Sequence, residues 1–480
     1  MENNEFRKTG HSLVDLIADY LNDVENKSLF PDVEPKLLLE IFDEPIPEDP
    51  QTTVKVIEEL KEKLLPYCTH VNHPGYFGLI TPTPNPVGIL GDFLASALNQ
   101  NLGAYSIGPS AVAMERRTVR WLCNLAGYDK SAGGNLTSGG MMANFIGLKL
   151  ARDWTSGNQA QHNGVKNNWT VYVSEERHVS IDKAVDAVGI GRNFLHAIPT
   201  DDEFKVRIDL LEKKIKEDMT AGMKPVCIIG LAGTTNTGSV DDLIALRKIA
   251  DELKAWFHVD AAYGGGVLIS EKRKGLLKGI ESADSVTIDP HKWFYAPLDA
   301  GAILVKDETQ LTKSFGIKPA YLTDELDLSN ERYQYYVHSF EQSRRFRSLK
   351  VWMSFKRYGT KQIGQWIDAN IEQADHLYNL VSNKPDFKAA VKPMMSAICI
   401  RYQPEGINED ELAKLHHDVV RKIELGGKFW ISTTVLKGLT WFRINPVNFR
   451  TRKKHMEELL ELLAKECEKS LVPSFLKGKV

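Results

Sequence analysis

Between about residues 86 and 340, short apolar runs alternate with helical stretches, and this alternation narrows the fold more than any other feature of the 480-residue chain. The runs are Trp169 to Val173, Val226 to Leu231, Trp256 to Val259, Ser285 to Ile288 and Gly301 to Val305, with helical spacing between them, as over 241 to 254. Strands separated by helices imply an α/β fold with a mostly parallel sheet. Ligands of such sheets gather at the carboxyl ends of the strands. The residues that follow each run are therefore the first place to look for chemistry.

Two of those exits carry complementary groups. Trp256-Phe257-His258-Val259 runs into Asp260-Ala261-Ala262-Tyr263, and Ser285-Val286-Thr287-Ile288 runs into Asp289-Pro290-His291-Lys292-Trp293. A lysine is usually a solvated surface charge, but one aimed from a strand end can form an imine. A carboxylate at a neighbouring strand end suits a pyridine nitrogen that must stay protonated. Together Lys292 and Asp260 suit pyridoxal phosphate, whose aldehyde needs a lysine and whose ring needs an acidic partner.

At 42% hydrophobic residues the chain can bury a large, dry site, and its length points to two or three domains. The formal net charge of -3 gives no overall attraction to nucleic acid or to an anionic membrane, which favours a small-molecule substrate. The five cysteines are scattered, with no CxxC pair and no metal-ligand spacing, as expected in a reducing cytoplasm. The first residues carry no basic and apolar leader pattern, and no apolar run approaches the length of a membrane span, so the expected location is cytoplasmic. Helical spacing of Leu13, Val14, Ile17, Ala18, Leu21 and Val24, and again of Val54, Ile57, Leu60 and Leu64, marks residues 1–85 as a helical arm with too little core to stand alone. Residues 86–345 form the expected large domain. Residues 346–480, with a long helical stretch, the runs Ala397 to Tyr402 and Leu439 to Ile444 and a closing helix at 454 to 468, form a smaller α+β domain.

Further candidates have simpler readings beside the functional ones. Thr137-Ser138-Gly139-Gly140-Met141 precedes a helical stretch and can bring backbone amides to a phosphate, although a glycine pair there is commonly plain turn chemistry. His178 follows Val171-Tyr172-Val173-Ser174 and can stack on a planar ring, or be an ordinary histidine. Thr235 follows the run ending at Leu231 and can bond a ring substituent, or cap the next helix. Ser343-Arg344-Arg345-Phe346-Arg347 reads as salt-bridged or subunit-bridging in so acidic a chain, and His416-His417-Asp418 as a solvated helix face. Gly189-Ile190-Gly191 lacks the third glycine of a dinucleotide turn.

Taken in order, these motifs resemble the pyridoxal-phosphate-dependent group II amino-acid decarboxylases, their aromatic-amino-acid branch above all, over nearly the whole chain. His73-Pro74 with Phe77 and Arg344-Arg345-Phe346-Arg347-Ser348-Leu349-Lys350 belong to the match. The resemblance implies a fold-type I, aspartate-aminotransferase-like architecture with a mostly parallel seven-stranded sheet, and a homodimer with active sites at the subunit interface. It implies that Lys292 holds the cofactor, Asp260 pairs with its ring nitrogen, His178 stacks on the ring and Thr235 contacts it. It further implies that Gly140, Met141 and His291 surround the phosphate and that Gly139 and Asp289 are cofactor-binding positions, with Met141 replacing a small polar residue. Tyr321 matches a loop tyrosine that protonates the product carbon, where the family's aldehyde synthases carry phenylalanine. Phe77, Leu79, Ile80 and Ser343 fall at substrate positions, with Leu79 and Ile80 standing where relatives carry aromatic residues. Serine at 343 accompanies phenolic rather than indolic substrates in plant relatives, so tyrosine, DOPA or phenylalanine is expected over tryptophan or 5-hydroxytryptophan. The alternatives are a decarboxylase of glutamate or 2,4-diaminobutyrate, an aminotransferase, and a non-catalytic protein of the same fold.

Overall fold

A computed structural model describes residues 3–317 and 331–471. Each of the five apolar runs forms a strand. Counting along the chain, the strands of the main sheet are β1 Gly133–Thr137, β2 Trp169–Ser174, β3 Leu195–Ile198, β4 Lys224–Leu231, β5 Trp256–Asp260, β6 Ser285–Ile288 and β7 Gly301–Val305. Their order in the seven-stranded sheet is β1-β7-β6-β5-β4-β2-β3. Strands β6, β5, β4, β2 and β3 pair in parallel, while β7 runs antiparallel to both β6 and β1. Reversal of β7 leaves β1 pointing the same way as the parallel strands. Six strand ends therefore open on one edge of the sheet.

Burial on both faces explains why these strands read as continuous apolar runs. Every residue of β2, β5, β6 and β7 is buried, and Val171, Ile229, Leu231 and Ile303 share one core with Ile146, Leu150 and Ile181 of the flanking helices. Helix Gly140–Thr155 lies against this face, and Gly147 permits the close approach: a Cβ there would stand 2.6 Å from Cε1 of His258. Helix Leu243–Leu253 starts at Asp242, whose carboxylate accepts from the amides of Ile244 and Ala245. The cap is thus Asp242, which frees Thr235 from that role.

The chain divides into two compact units. The larger comprises residues 80–374 and 391–398 and contains the seven-stranded sheet. The smaller draws on three stretches, up to residue 79, 375–390 and from 399 onward. It contains helices Asn3–Asp23, Thr53–Lys63, Glu409–Leu425 and Lys453–Leu471, and a four-stranded sheet in which β8 Phe387–Ala389, β9 Ile398–Tyr402, β10 Ser432–Leu436 and β11 Leu439–Ile444 are ordered β10-β11-β9-β8. One expectation is corrected here. His416 does not lie on a solvated face but is fully buried, its ring nitrogens 3.1 and 3.0 Å from the carbonyls of Thr440 and Tyr402, because it sits on the inner side of its helix against Phe442. No helix among the described residues is long and apolar enough to cross a membrane.

Candidate active site

The strand ends of β1, β2, β4, β5 and β6 surround a cavity of about 290 Å³ in the larger unit. Lys292, Asp260, His178, Thr235, Gly139, Gly140, Met141, Asp289 and His291 all line it. Sequence positions scattered from 139 to 292 thus converge because neighbouring parallel strands end side by side.

Asp260 is the last residue of β5 and is 9% exposed. Its Oδ2 accepts from Asn144 Nδ2 at 2.8 Å and its Oδ1 from the Ala262 amide at 3.1 Å, so the carboxylate is held rigidly at the strand end. His178 stands at the N-cap of helix Val179–Ala187, where Nδ1 accepts from the Ser180 amide at 3.2 Å. An imidazole used as a helix cap has a fixed ring plane. Thr234 folds the loop beyond β4 through bonds to Thr237 and the Ser239 amide. Beside it, Asn236 donates to Glu176 on the cavity wall, a carboxyl whose pKa burial raises.

The opposite end of the cavity is organised by Asp289. Its Oδ2 accepts from the Gly140 amide at 3.0 Å and lies 3.2 Å from Lys292 Nζ and 3.5 Å from His291 Nε2. Burial alone would push this carboxyl up, but the Lys292 charge and the hydrogen bond from His291 outweigh that and hold it below the usual range. The second oxygen, Oδ1, is buried with no hydrogen-bond partner among the described residues. His291 Nδ1 accepts from the Ala300 amide at 2.9 Å, which leaves Nε2 to carry the proton. Gly140 starts a 16-residue helix, and a Cβ there would come within 2.7 Å of Asp289 Oδ2. The positive end of that helix and the lysine amine meet at one side of the cavity, and a buried carboxylate lies on another.

Such a site fits one ligand chemistry well. An amine for an aldehyde, a helix N-terminus for a phosphate, a flat imidazole for stacking and a carboxylate for a ring nitrogen are the donor set that pyridoxal phosphate requires. Residues 35–403 match the model of the pyridoxal-dependent decarboxylase conserved domain. The chain belongs to that family. An aromatic-L-amino-acid decarboxylase of Bacillus atrophaeus is 34% identical over 96% of this chain and 94% of its own. Tyrosine decarboxylase 3 of Petroselinum crispum is 29% identical over 100% of this chain and 95% of its own. The crystal structure of Oryza sativa TDC with PLP and tryptamine superposes with a TM-score of 0.92 at 26% identity, covering 98% of this chain and 99% of that one. The protein is an enzyme, a pyridoxal-phosphate-dependent decarboxylase.

The remaining positions predicted for this decarboxylase lie elsewhere. Phe77 is fully buried in the smaller unit, its ring stacked on Phe429 and its backbone paired with Trp430 and Asn445. Leu79 is 48% exposed, Ile80 is half-buried and Ser343 is exposed. None of these four lines the cavity. Tyr321 lies outside the described residues. The basic motif is salt-bridged within the larger unit: Arg344 pairs with Glu115, Arg345 with Asp92 and Arg347 with Asp299 and Glu341. Sequence reasoning missed Asn144, Ser180 and Glu176. The available signal was a lone amide in the otherwise apolar helical stretch Met142 to Leu148, and two polar residues flanking His178.

Proposed function

We propose that this enzyme converts aromatic L-amino acids to the corresponding amines and carbon dioxide, with Lys292, Asp260, His178 and Tyr321 as its reacting and electrostatic groups. The observation that carries the proposal is the convergence of Lys292, Asp260 and His178 on one cavity that begins at a helix N-terminus. Bound there, pyridoxal phosphate supplies an aldehyde that condenses with amines and a cationic ring that accepts the electron pair left by carbon dioxide. Asp260 would hold a proton on the ring nitrogen of the bound group, since a buried carboxylate favours the cationic form of its partner. Lys292 would provide the amine that anchors the group, and Asp289 offers a counter-charge to its ammonium form. His178 presents its ring to the cofactor. Tyr321 gives a proton to the substrate carbon, a role that rests on the resemblance of its motif.

Substrate choice is assigned to the positions that the family pattern marks. Aromatic substrates are named for the Bacillus and parsley relatives, and apolar Leu79 and Ile80 with Ser343 suit a phenolic ring. The enzyme is read as a cytoplasmic homodimer. Support comes from the exposed face of helix Pro86–Leu98, where Leu90, Phe93, Leu94 and Leu98 are each about half exposed, and from Leu39, Phe42 and 91%-exposed Ile46 in the arm. Apolar area of that extent is covered in a stable protein, here by a second copy. Residues 1–85 then serve as a dimerising arm to a large cofactor domain at 86–345 and a small domain at 346–480. Cys123, Cys227, Cys399 and Cys467 are buried and Cys68 is half-buried, none of them in a disulfide, which agrees with a reducing compartment. Incubation with a panel of amino acids, followed by mass identification of the amines, tests the function. Tyramine, dopamine or phenethylamine is expected; release of 4-aminobutyrate or 1,3-diaminopropane instead overturns the aromatic assignment.

A further inference from the structure

One buried amide in the cavity wall is not among the groups that react. Asn144 is 1% exposed, and all its hydrogen-bonding capacity is used. Nδ2 donates to Asp260 Oδ2 at 2.8 Å and to Ser180 Oγ at 2.9 Å. Oδ1 accepts from Thr287 Oγ1 at 2.7 Å and stands 3.0 Å from His258 Nε2.

The direction of every bond in this network follows from chemistry. An ionised carboxylate only accepts, so the amide nitrogen of Asn144 must face Asp260 and its oxygen must face His258. His258 then carries its proton on Nε2, and its Nδ1 accepts from Ser285 Oγ at 2.8 Å, whose oxygen in turn receives the Trp256 indole N–H at 2.8 Å. Burial, opposed by the Asp260 charge, drops His258 to about 4, which agrees with a ring bearing one proton. On the other side, Ser180 Oγ receives the Asn144 N–H and lies 2.9 Å from His178 Nδ1, to which the Ser180 amide already donates at 3.2 Å. Two donors on Nδ1 leave no place there for a proton.

We propose that Asn144 and Ser180 are positioning residues that hold His178 as the neutral tautomer protonated on Nε2 and tie that state to the ionised Asp260. The inference rests on the cavity being the cofactor site. A neutral imidazole can lie over a cationic ring, whereas an imidazolium would repel it. The same lock leaves Nε2 as the nitrogen from which His178 can give a proton. Titratable groups facing His178 are Asp260, Glu176, Asp289, His291 and Lys292 around the cavity, His258 behind Asn144, and the Arg177–Asp182 ion pair beside it.

Nitrogen-15 NMR of the histidine-labelled full-length protein tests the lock, with His178→Gln to assign the resonance and spectra taken before and after addition of pyridoxal phosphate. The wild type should show His178 neutral and protonated on Nε2 at neutral pH. Ser180→Ala changes no charge and removes one donor from Nδ1, so the His178 pKa should rise by about one unit. The acid limb of kcat/KM and the pH titration of the visible cofactor band should move with it. Ser180→Thr, which keeps the hydroxyl, should restore the wild-type titration, and Asn144→Asp should shift it further than Ser180→Ala. A merely structural role would alter the thermal midpoint and leave these titrations in place. An Nδ1-protonated His178 in the wild type, or unchanged titrations in both Ser180→Ala and Asn144→Asp, overturns the proposal. Failure of the wild type to bind pyridoxal phosphate would remove the functional reading instead, while the cofactor-free spectra still decide the tautomer.

Discussion

The floor of the cavity and the rim expected to select the substrate are built in different ways. Floor residues Lys292, Asp260, His178 and Asp289 leave the ends of neighbouring strands within a single unit, and hydrogen bonds or ion pairs fix each of them. The rim positions share no such frame: Phe77 is locked into the packing of the smaller unit, and Leu79 and Ser343 face solvent. The groups proposed to handle the cofactor thus share one frame within the larger unit. The side chains proposed to read the substrate would need a cover, which the proposed second subunit would supply. Electronics and selectivity then depend on different levels of structure and should fail separately.

The strongest way to break this contrast is at the floor. Lys292→Ala should abolish the visible imine absorbance and lower amine formation by at least about a thousandfold, measured by stopped product assays. Asp260→Asn replaces a charge with an amide of the same shape and should cost roughly a hundredfold in kcat, because the ring nitrogen loses the anion that keeps it protonated. Full activity in either variant would place the chemistry elsewhere. Tyr321→Phe should cut amine yield about tenfold or more and divert substrate to aldehyde with hydrogen peroxide; amine release without either product would remove Tyr321 from its role.

The proposed dimer can be attacked without touching the floor. Phe93→Glu with Leu94→Glu places two charges on the exposed apolar face of helix Pro86–Leu98. Sedimentation should show a monomer whose turnover falls several-fold, about an order of magnitude at most, while the visible cofactor band persists. Loss of the band together with turnover would mean that the floor, too, needs a partner.

How much of this was legible in the sequence depends on how each element is buried. Strands β2, β4, β5, β6 and β7 are visible as apolar runs because both faces are covered. Strand β1, Gly133-Gly134-Asn135-Leu136-Thr137, carries no such run. It is defined by contact distance: a Cβ on Gly134 would stand 2.1 Å from the Ile303 carbonyl oxygen, so glycine is required and the apolar signal disappears. Edge strand β3 buries Leu195 and Ile198 and leaves His196 and Ala197 partly open, too short an alternation to register. The candidate reacting groups could be picked out at strand exits by residue type, whereas Asn144 meets Ser180 and Asp260 across 36 and 116 positions, which no local pattern carries. The smaller unit likewise gathers three separate stretches, a grouping that depends on tertiary contact.

The smallest expected effect is at Ser343, and it bears most directly on the rim. The segment is firmly placed: the Arg344 amide donates to Asn101 Oδ1 at 3.0 Å, the Arg344 carbonyl accepts from Leu102 at 2.9 Å, and the Arg344 guanidinium is buried against Glu115 and the Leu136 carbonyl. A side chain at 343 therefore projects from a fixed backbone, and changing it should alter a slot without moving the slot's walls. Ser343→Gly removes a hydroxymethyl group that narrows the space and can bond a phenol. The kcat/KM ratio of tyrosine to tryptophan should fall by about fivefold, near 1 kcal/mol, with the cofactor band unchanged. Such a split would show selectivity moving while the floor stays still. An unchanged ratio would mean that the exposed Ser343 never meets the substrate ring, and that the rim must be sought among residues other than those the family pattern points to.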